Sequence, residues 1–311
     1  MLAVVSHDAG GAELLSSYVR QQGLSCLYVL EGPALRVFER KLGPIRTLSL
    51  EAAITQATSL LCGTSWQSDL EFNALARARE LGKPAVAFLD HWVNYRERFT
   101  RGTEVRLPDE VWVGDSIAKD LAAATLPGVP LRLVDNPYFA DLRQELAALT
   151  PSQDADADKL SVLYVCEPVS QHMKLQFGNE RHLGYVEHEA LAYFLAHIDA
   201  LGEAVGRIVI RPHPSEPANK YDWAQAQCDL PVARGGSQTL LQEIVDCDVV
   251  VGCESMAMVV GLLAGKRVVS SIPPGGRACA LPYPEIERLN PEGLAVREEP
   301  LPNVAKEVKS R

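Results

Sequence analysis

The sequence has no CxxC pair, no basic tract and no apolar run long enough to span a membrane. Each absence excludes a class of protein. The seven cysteines are scattered over 311 residues, which argues against a disulfide framework or a thiolate zinc site and for a reducing compartment. Thirty basic side chains face forty acidic ones, for a net charge of −10. Such a chain lacks the cationic surface that sequence-independent nucleic-acid binding requires. It can still bind a phosphate locally, so a nucleotide ligand stays open. VVVGCESMAMVVGLLAG, from residue 249, comes nearest to a membrane span, but Glu254 interrupts it, and a strand followed by a helix accounts for it better. MLAVVSHDAGG has no charged leader region and reads as a first strand. GxGxxG, the P-loop and the G-x-S-x-G elbow are all missing, which removes the dinucleotide fingerprint and two common catalytic frames. Aromatics make up only 6%, so cores of Val, Leu, Ala and Ile are expected.

What is present is alternation. LAVVS, SCLYVLEG, IRTLSL, SLLCGT, PAVAFLD, EVWVGD and LRLVDN read as strands. Between them, GAELLSSYVRQQG, PALRVFERKLG, LEFNALARARELGK and a segment from Ser116 read as helices. Residues 150–159, TPSQDADADK, are polar and turn-forming, as in a linker. Alternation then resumes through LSVLYVCEP, a helix from about Tyr185 to Leu201, RIVIRPHP, LPVAR, SQTLLQEIVDC, DVVVGCES, MAMVVGLLAG and KRVVSSIPP. Strands alternating with helices imply parallel βαβ units. The expectation is α/β: two Rossmann-like domains facing across a cleft, with ligands where loops leave the carboxyl ends of strands. The boundaries expected are 1–150 for an acceptor domain, 151–159 for the linker, 160–290 for a donor domain and 291–311 for a polar tail.

Polar residues cluster at these strand ends. In SHDAGGAE, His7 and Asp8 follow a strand, and Gly10 and Gly11 open a helix. The glycines allow a tight turn and close approach of a ligand, and His7 or Asp8 can act as general base. The plain alternative is that Asp8 only caps the helix. FLDHW brings Asp90 and His91 to another strand end, followed by Arg96 and Arg98. Asp90 is a second candidate base or nucleophile unless it only pairs with a local arginine. Asn136-Pro137 signals a turn that shapes a wall or leads to the linker. Glu167, in YVCEPVSQH, sits where a nucleotide base or sugar can lie.

The most telling stretch is IVIRPHPSE, residues 208–216. Its prolines fix φ and push the residues before them into extended conformation. Arg211 and His213 therefore point in defined directions; an imidazole so held can donate to a phosphate oxygen, while Arg211 either meets the ligand or braces the loop by ion pairing. Ser215 belongs to the same loop. Forty residues on, DVVVGC ends at Glu254-Ser255 and a helix begins at once. The Ser255 hydroxyl and the free N–H groups of that helix suit a phosphate, and Glu254 suits ribose hydroxyls, unless Ser255 is only an N-cap and Glu254 its neighbour. A carboxylate in so apolar a run needs partners. DADAD at 154–158 has carboxylates at spacing two but no strand before it, and reads as solvated, so no metal is assigned.

These residues resemble a family. RPHPSE, GCES and YVCEP look like the GT-B glycosyltransferases of bacterial capsule and surface polysaccharide: sialyl- and polysialyltransferases, Kdo transferases and related enzymes. The resemblance covers about residues 160–275. It implies a CMP-activated donor of sialic-acid or Kdo type and a glycan or glycolipid acceptor, with no cofactor, no metal and no nucleic acid. The phosphate roles then fall on His213 and Ser255, with Glu254 near the ribose. A cytoplasmic protein is implied, with peripheral association at the inner face of the membrane open to it. The family's acidic D/E-D/E-G element is absent, which leaves the base or nucleophile between Asp8 and Asp90. Two other readings stand beside this one: a UDP-sugar 2-epimerase, whose usual Ser-Gly-Gly turn is replaced by GCESMA, and a non-catalytic sugar-nucleotide or glycan-binding partner.

Overall fold

The computed structural model describes residues 1–65, 68–152 and 158–295. The chain divides into two compact units, Met1–Asp141 and a second that begins at Leu142.

The first unit runs β1 (Leu2–Ser6), α1 (Ala9–Gln21), β2 (Cys26–Leu30), α2 (Ala34–Leu42), α3 (Leu50–Gln56), β3 (Ser59–Cys62), α4 (Leu70–Glu80), β4 (Ala85–Leu89), α5 (Tyr95–Arg98), β5 (Thr100–Arg101), β6 (Glu104–Val105), β7 (Glu110–Val113), α6 (Ser116–Thr125), β8 (Leu131–Leu133) and α7 (Pro137–Ala147). Six strands pair in the order β2-β1-β3-β4-β7-β8, all parallel. Continuous apolar runs such as Ala3-Val4-Val5 are fully buried, as parallel strands covered on both faces require. Asn136 does more than turn the chain. Its Oδ1 accepts from the backbone N–H groups of Tyr138 and Phe139 and so starts α7. The division between the units falls inside that helix.

IRTLSL is not a strand. Only Thr47 bridges to Tyr28, and Ser49 then caps α3 by accepting from Ala52 N–H. The hydroxyl cap outweighs the strand propensity of the residues before it.

The second unit runs β9 (Leu160–Val165), α8 (Val169–Phe177), α9 (Glu187–Ala196), a 3-10 turn at Ile198–Leu201, β10 (Val205–Arg211), a second 3-10 turn at Asp222–Gln227, β11 (Val232–Arg234), α10 (Leu240–Val245), β12 (Val249–Gly252), α11 (Met256–Leu263), β13 (Arg267–Ser270), β14 (Glu287–Asn290) and β15 (Gly293–Ala295). Its sheet order is β11-β10-β9-β12-β13-β14-β15. All pairs are parallel except β14 with β15. Both units are Rossmann-like α/β, as the sequence predicts.

Ser152, placed in the linker, donates from its N–H and its hydroxyl to Asp246, at 2.8 Å each. The tail begins with β15, which closes the second sheet. Residues 296–311, and residues 153–157 with most of DADAD, lie outside the described residues.

The strand orders locate the crevices. In the first unit the order reverses direction between β1 and β3, and in the second between β9 and β12. Ligands of open α/β sheets bind at such switch points, beyond the carboxyl ends of the strands.

Candidate functional site

At the first crevice, β1 delivers His7 and Asp8. Asp8 takes the N-cap position of α1 but makes no side-chain cap bond. Its Oδ1 is instead 2.8 Å from His7 Nδ1 and accepts from the Ser65 hydroxyl at 2.8 Å. The carboxylate beside Nδ1 draws the ring proton to that nitrogen, leaving Nε2 of the neutral imidazole as the acceptor. Gly32 (φ +52°) lies against that nitrogen, and a Cβ there would stand 2.7 Å from His7 Nε2. A side chain at 32 would cover the atom, so glycine is needed for both conformation and access.

Three expectations change here. Gly10 and Gly11 form no turn, because α1 already includes both. The space at Gly10 is filled by Asp90, whose Oδ2 would be 2.3 Å from a Cβ, while Gly11 meets only ordinary contacts. Neither glycine is explained by a ligand. Asp90 itself accepts from Arg98 Nη1 at 2.8 Å in a nearly buried pair, and Arg98 also donates to Thr64. Asp90 thus faces guanidinium donors and fastens the end of β4 to the loop after β3. Asp90 is engaged by an arginine, whereas His7 is paired with Asp8. Burial, opposed by Asp90 and reinforced by Arg98, pushes the His91 imidazole down to about 4, so it stays neutral near pH 7.

At the second crevice, β9 and β12 end in Glu167 and Glu254. Glu167 accepts from Glu254 N–H at 2.8 Å, and the N–H groups of Cys253 and Ser255 also favour its carboxylate. The N-terminal corner of α11, expected to hold phosphate, is therefore occupied by the protein's own carboxylate. Ser255 is an N-cap, its hydroxyl accepting from Ala257 N–H. Glu254 is held by Arg277 at 2.8 Å and by Ala280 N–H at 3.0 Å. The partners that its apolar surroundings demand are thus supplied by the protein itself. Burial, then the neighbouring Glu254 charge, push the Glu167 carboxyl up to about 8.

That shift carries a sign. A carboxyl raised from its ordinary value of about 4.3 stabilises the fold most in its protonated form. The contribution is full below about pH 4 and is lost as pH climbs toward about 8. Glu167→Gln, neutral throughout, is expected to gain melting temperature on the wild type progressively between about pH 5 and 8. A difference independent of pH in paired melting curves overturns this.

The loop after β10 carries His213. Its backbone N–H donates to Glu216 Oε2 at 3.0 Å. Its Nδ1 accepts from Ser215 N–H at 3.2 Å and lies 2.7 Å from the Ser215 hydroxyl. An N–H aimed at Nδ1 excludes a proton there, so the neutral ring carries its hydrogen on Nε2. Ser215 therefore orients the imidazole. Burial and the nearby His172 ring lower the His213 pKa, against the pull of Glu216. Arg211 is a brace: Nη1 donates to the buried Glu243 at 2.6 Å and to Gln238 O at 3.2 Å. Next to the loop, Ile210, Pro212, Tyr221 and Val232 line a depression of about 210 Å³, with Asp222 and Arg234 at its rim.

Of the supports of this loop, the Glu216–Lys220 pair is local, at spacing four, but the link to Glu187 carries no sequence signal. Glu216, 2% exposed, accepts from Lys220 at 2.7 Å and from Tyr221 OH at 2.9 Å. Lys220 also binds Glu187, which accepts from both N–H and hydroxyl of Ser170. The β9–α8 corner and the His213 loop are thereby bolted together. Arg277, whose only local mark is PPGGR, is likewise missed. No group of three metal-ligating side chains occurs among the described residues. No helix among them is long and apolar enough to cross a membrane.

No protein-family model matches the chain, and no curated protein matches it in sequence. Solved structures match its fold. The UDP-GlcNAc 2-epimerase of Methanocaldococcus jannaschii superposes at TM-score 0.55 and 10% identity, covering 86% of this chain and 83% of that one. The UDP-GlcNAc 2-epimerase of Neisseria meningitidis, bound to UDP-GlcNAc, gives 0.52 and 11%, covering 86% and 81%. The glycotransferase of kitacinnamycin gives 0.51 and 15%, covering 90% and 82%. At these identities the likeness is one of fold: two Rossmann-like units of the GT-B class.

Proposed function

We propose that this chain is a glycosyltransferase that moves a sugar from a CMP-activated donor, of sialic-acid or Kdo type, to a bacterial surface glycan. The second unit holds the donor, and the first presents the acceptor and the base. The observation that supports this reading most is His213. A neutral imidazole whose Nδ1 is closed by Ser215 offers Nε2–H as a preorganised donor. In transfer, the acceptor oxygen forms the new bond to the anomeric carbon as the bond to the CMP phosphate breaks. His213 Nε2–H meets the charge growing on that phosphate oxygen. The acceptor's proton goes to His7 Nε2, and Asp8 stabilises the imidazolium. The depression beside Pro212 is below the size of sites that enclose whole ligands and suits a single ring such as the base.

A thermal-shift panel of CMP, CDP, UDP, GDP and ADP tests the donor. A nucleotide that binds only the folded state adds about 2.7 kcal/mol at one hundred times its dissociation constant. Stabilisation by the cytidine nucleotides alone is expected. The fold shared with two UDP-GlcNAc 2-epimerases favours a second reading, which predicts stabilisation by UDP and interconversion of a UDP-sugar with no acceptor present. No shift with any nucleotide would leave a glycan-binding partner.

A further inference from the structure

Glu71 takes no part in the chemistry above, yet it is placed against the residues that do. It is the second residue of α4 and is 3% exposed. Its Oε1 accepts from the backbone N–H of His7 at 2.7 Å, across 64 residues of sequence. Its Oε2 is buried with no hydrogen-bond partner among the described residues. A structural carboxylate would have both oxygens engaged, since a buried unpaired oxygen is costly. This one has half of its capacity engaged, and that half grips the residue whose imidazole is paired to Asp8.

The groups that face it come from each packed element. From the β1–α1 corner they are His7 and Asp8, and from β3 the Cys62 thiol, which the Glu71 charge helps to push up. Of the charges on the neighbouring elements, Glu51 of α3 is engaged by Arg77, and Asp90, after β4, by Arg98. Asp8 and His7 are thus the ionisable pair to which Glu71 is coupled.

We propose that Glu71 is the positioning residue of the His7–Asp8 pair. Its Oε1 fixes the corner that presents the imidazole, and loss of the proton from its buried carboxyl makes that imidazole a stronger base. The base role of His7 rests on the transferase reading; the coupling does not. Burial, opposed by the N–H groups of Glu71 and His7, lifts the carboxyl to about 7, so it changes charge in the range where a catalytic imidazole works. A negative charge gained there favours the protonated imidazole.

The test is the pH titration of the His7 ring by NMR, its resonance assigned from the spectrum of His7→Asn. In the wild type the His7 resonance is expected to report two steps, the upper being the ionisation of Glu71 at about 7. In Glu71→Gln, which keeps an oxygen for His7 N–H but cannot ionise, the upper step should vanish and the remaining midpoint fall. A single His7 step in the wild type overturns the proposal whether or not the variant folds. So does a Glu71→Gln titration that superimposes on the wild type. Neither measurement needs a substrate, so absence of turnover with every donor would sink the transferase reading and leave this coupling standing.

Discussion

Replacing Lys220 with Met is expected to destabilise the second unit by about 3–5 kcal/mol, the cost of removing one partner from a buried ion pair. Two carboxylates depend on this ammonium, Glu187 at 4% exposure and Glu216 at 2%. Glu187 shows how strongly. Burial acts to raise its pKa, but hydrogen bonds from Lys220 and Ser170 hold it down at about 2. Its stabilising effect is therefore complete above the ordinary carboxyl range and is lost as pH falls from about 4.5 toward 2. Met keeps most of the stem and removes the charge, so two buried anions are left face to face. The comparison is Arg234→Met, which breaks a pair with Asp222 that is about half exposed on both sides and should change stability by about 0–1 kcal/mol. Chemical denaturation of both variants measures the contrast. Similar midpoints for the two would mean that the Lys220 bolt does not hold the loop.

The strand–helix alternation was legible because each element carries its own period and its own stop. Gly23 and Gly43, both at positive φ, end α1 and α2 where the sequence places them. α3 was not legible, because Thr47 and Leu48 read as strand and the Ser49 cap is a single hydroxyl among them. At the crevices, the residue types at strand ends were visible but their partners were not. Glu167 and the N–H of Glu254 lie 87 residues apart, Arg211 and Glu243 32, and His7 N–H and Glu71 64. No periodicity encodes such pairs. This is why the sequence offers Glu167 and Glu254 as groups free for a ligand when the fold has engaged both; for Asp90 and Arg211 the sequence also allows the ion pairs that the fold makes. The Pro-His-Pro loop is the contrasting case. The bonds of His213 itself close within three residues, so its orientation relative to the loop is local, although the loop is also bolted to Glu187 through Lys220.

His213→Ala is expected to lower turnover by about 10²–10³-fold, the loss seen when one preorganised donor to a developing oxyanion is removed, while the protein stays folded. Both halves of that expectation come from the loop. The contact to Glu216 is made by the backbone N–H of His213, which alanine keeps, and among the described residues the ring's hydrogen-bond partner is Ser215 alone. Deleting the imidazole therefore orphans no buried group. What disappears is Nε2–H, and a donor that strengthens as charge grows on the leaving phosphate acts on kcat more than on substrate affinity. His213→Gln puts an amide N–H near the place of Nε2–H and should recover part of the loss. Ser215→Ala removes the hydroxyl but keeps the N–H that closes Nδ1, so its effect should be small. Steady-state kinetics with donor and acceptor, beside melting curves for each variant, separate these cases. Near-normal turnover in His213→Ala would remove the phosphate role from this loop. Loss confined to KM would mean that the imidazole binds the donor equally in ground and transition states and contributes nothing to the chemical step.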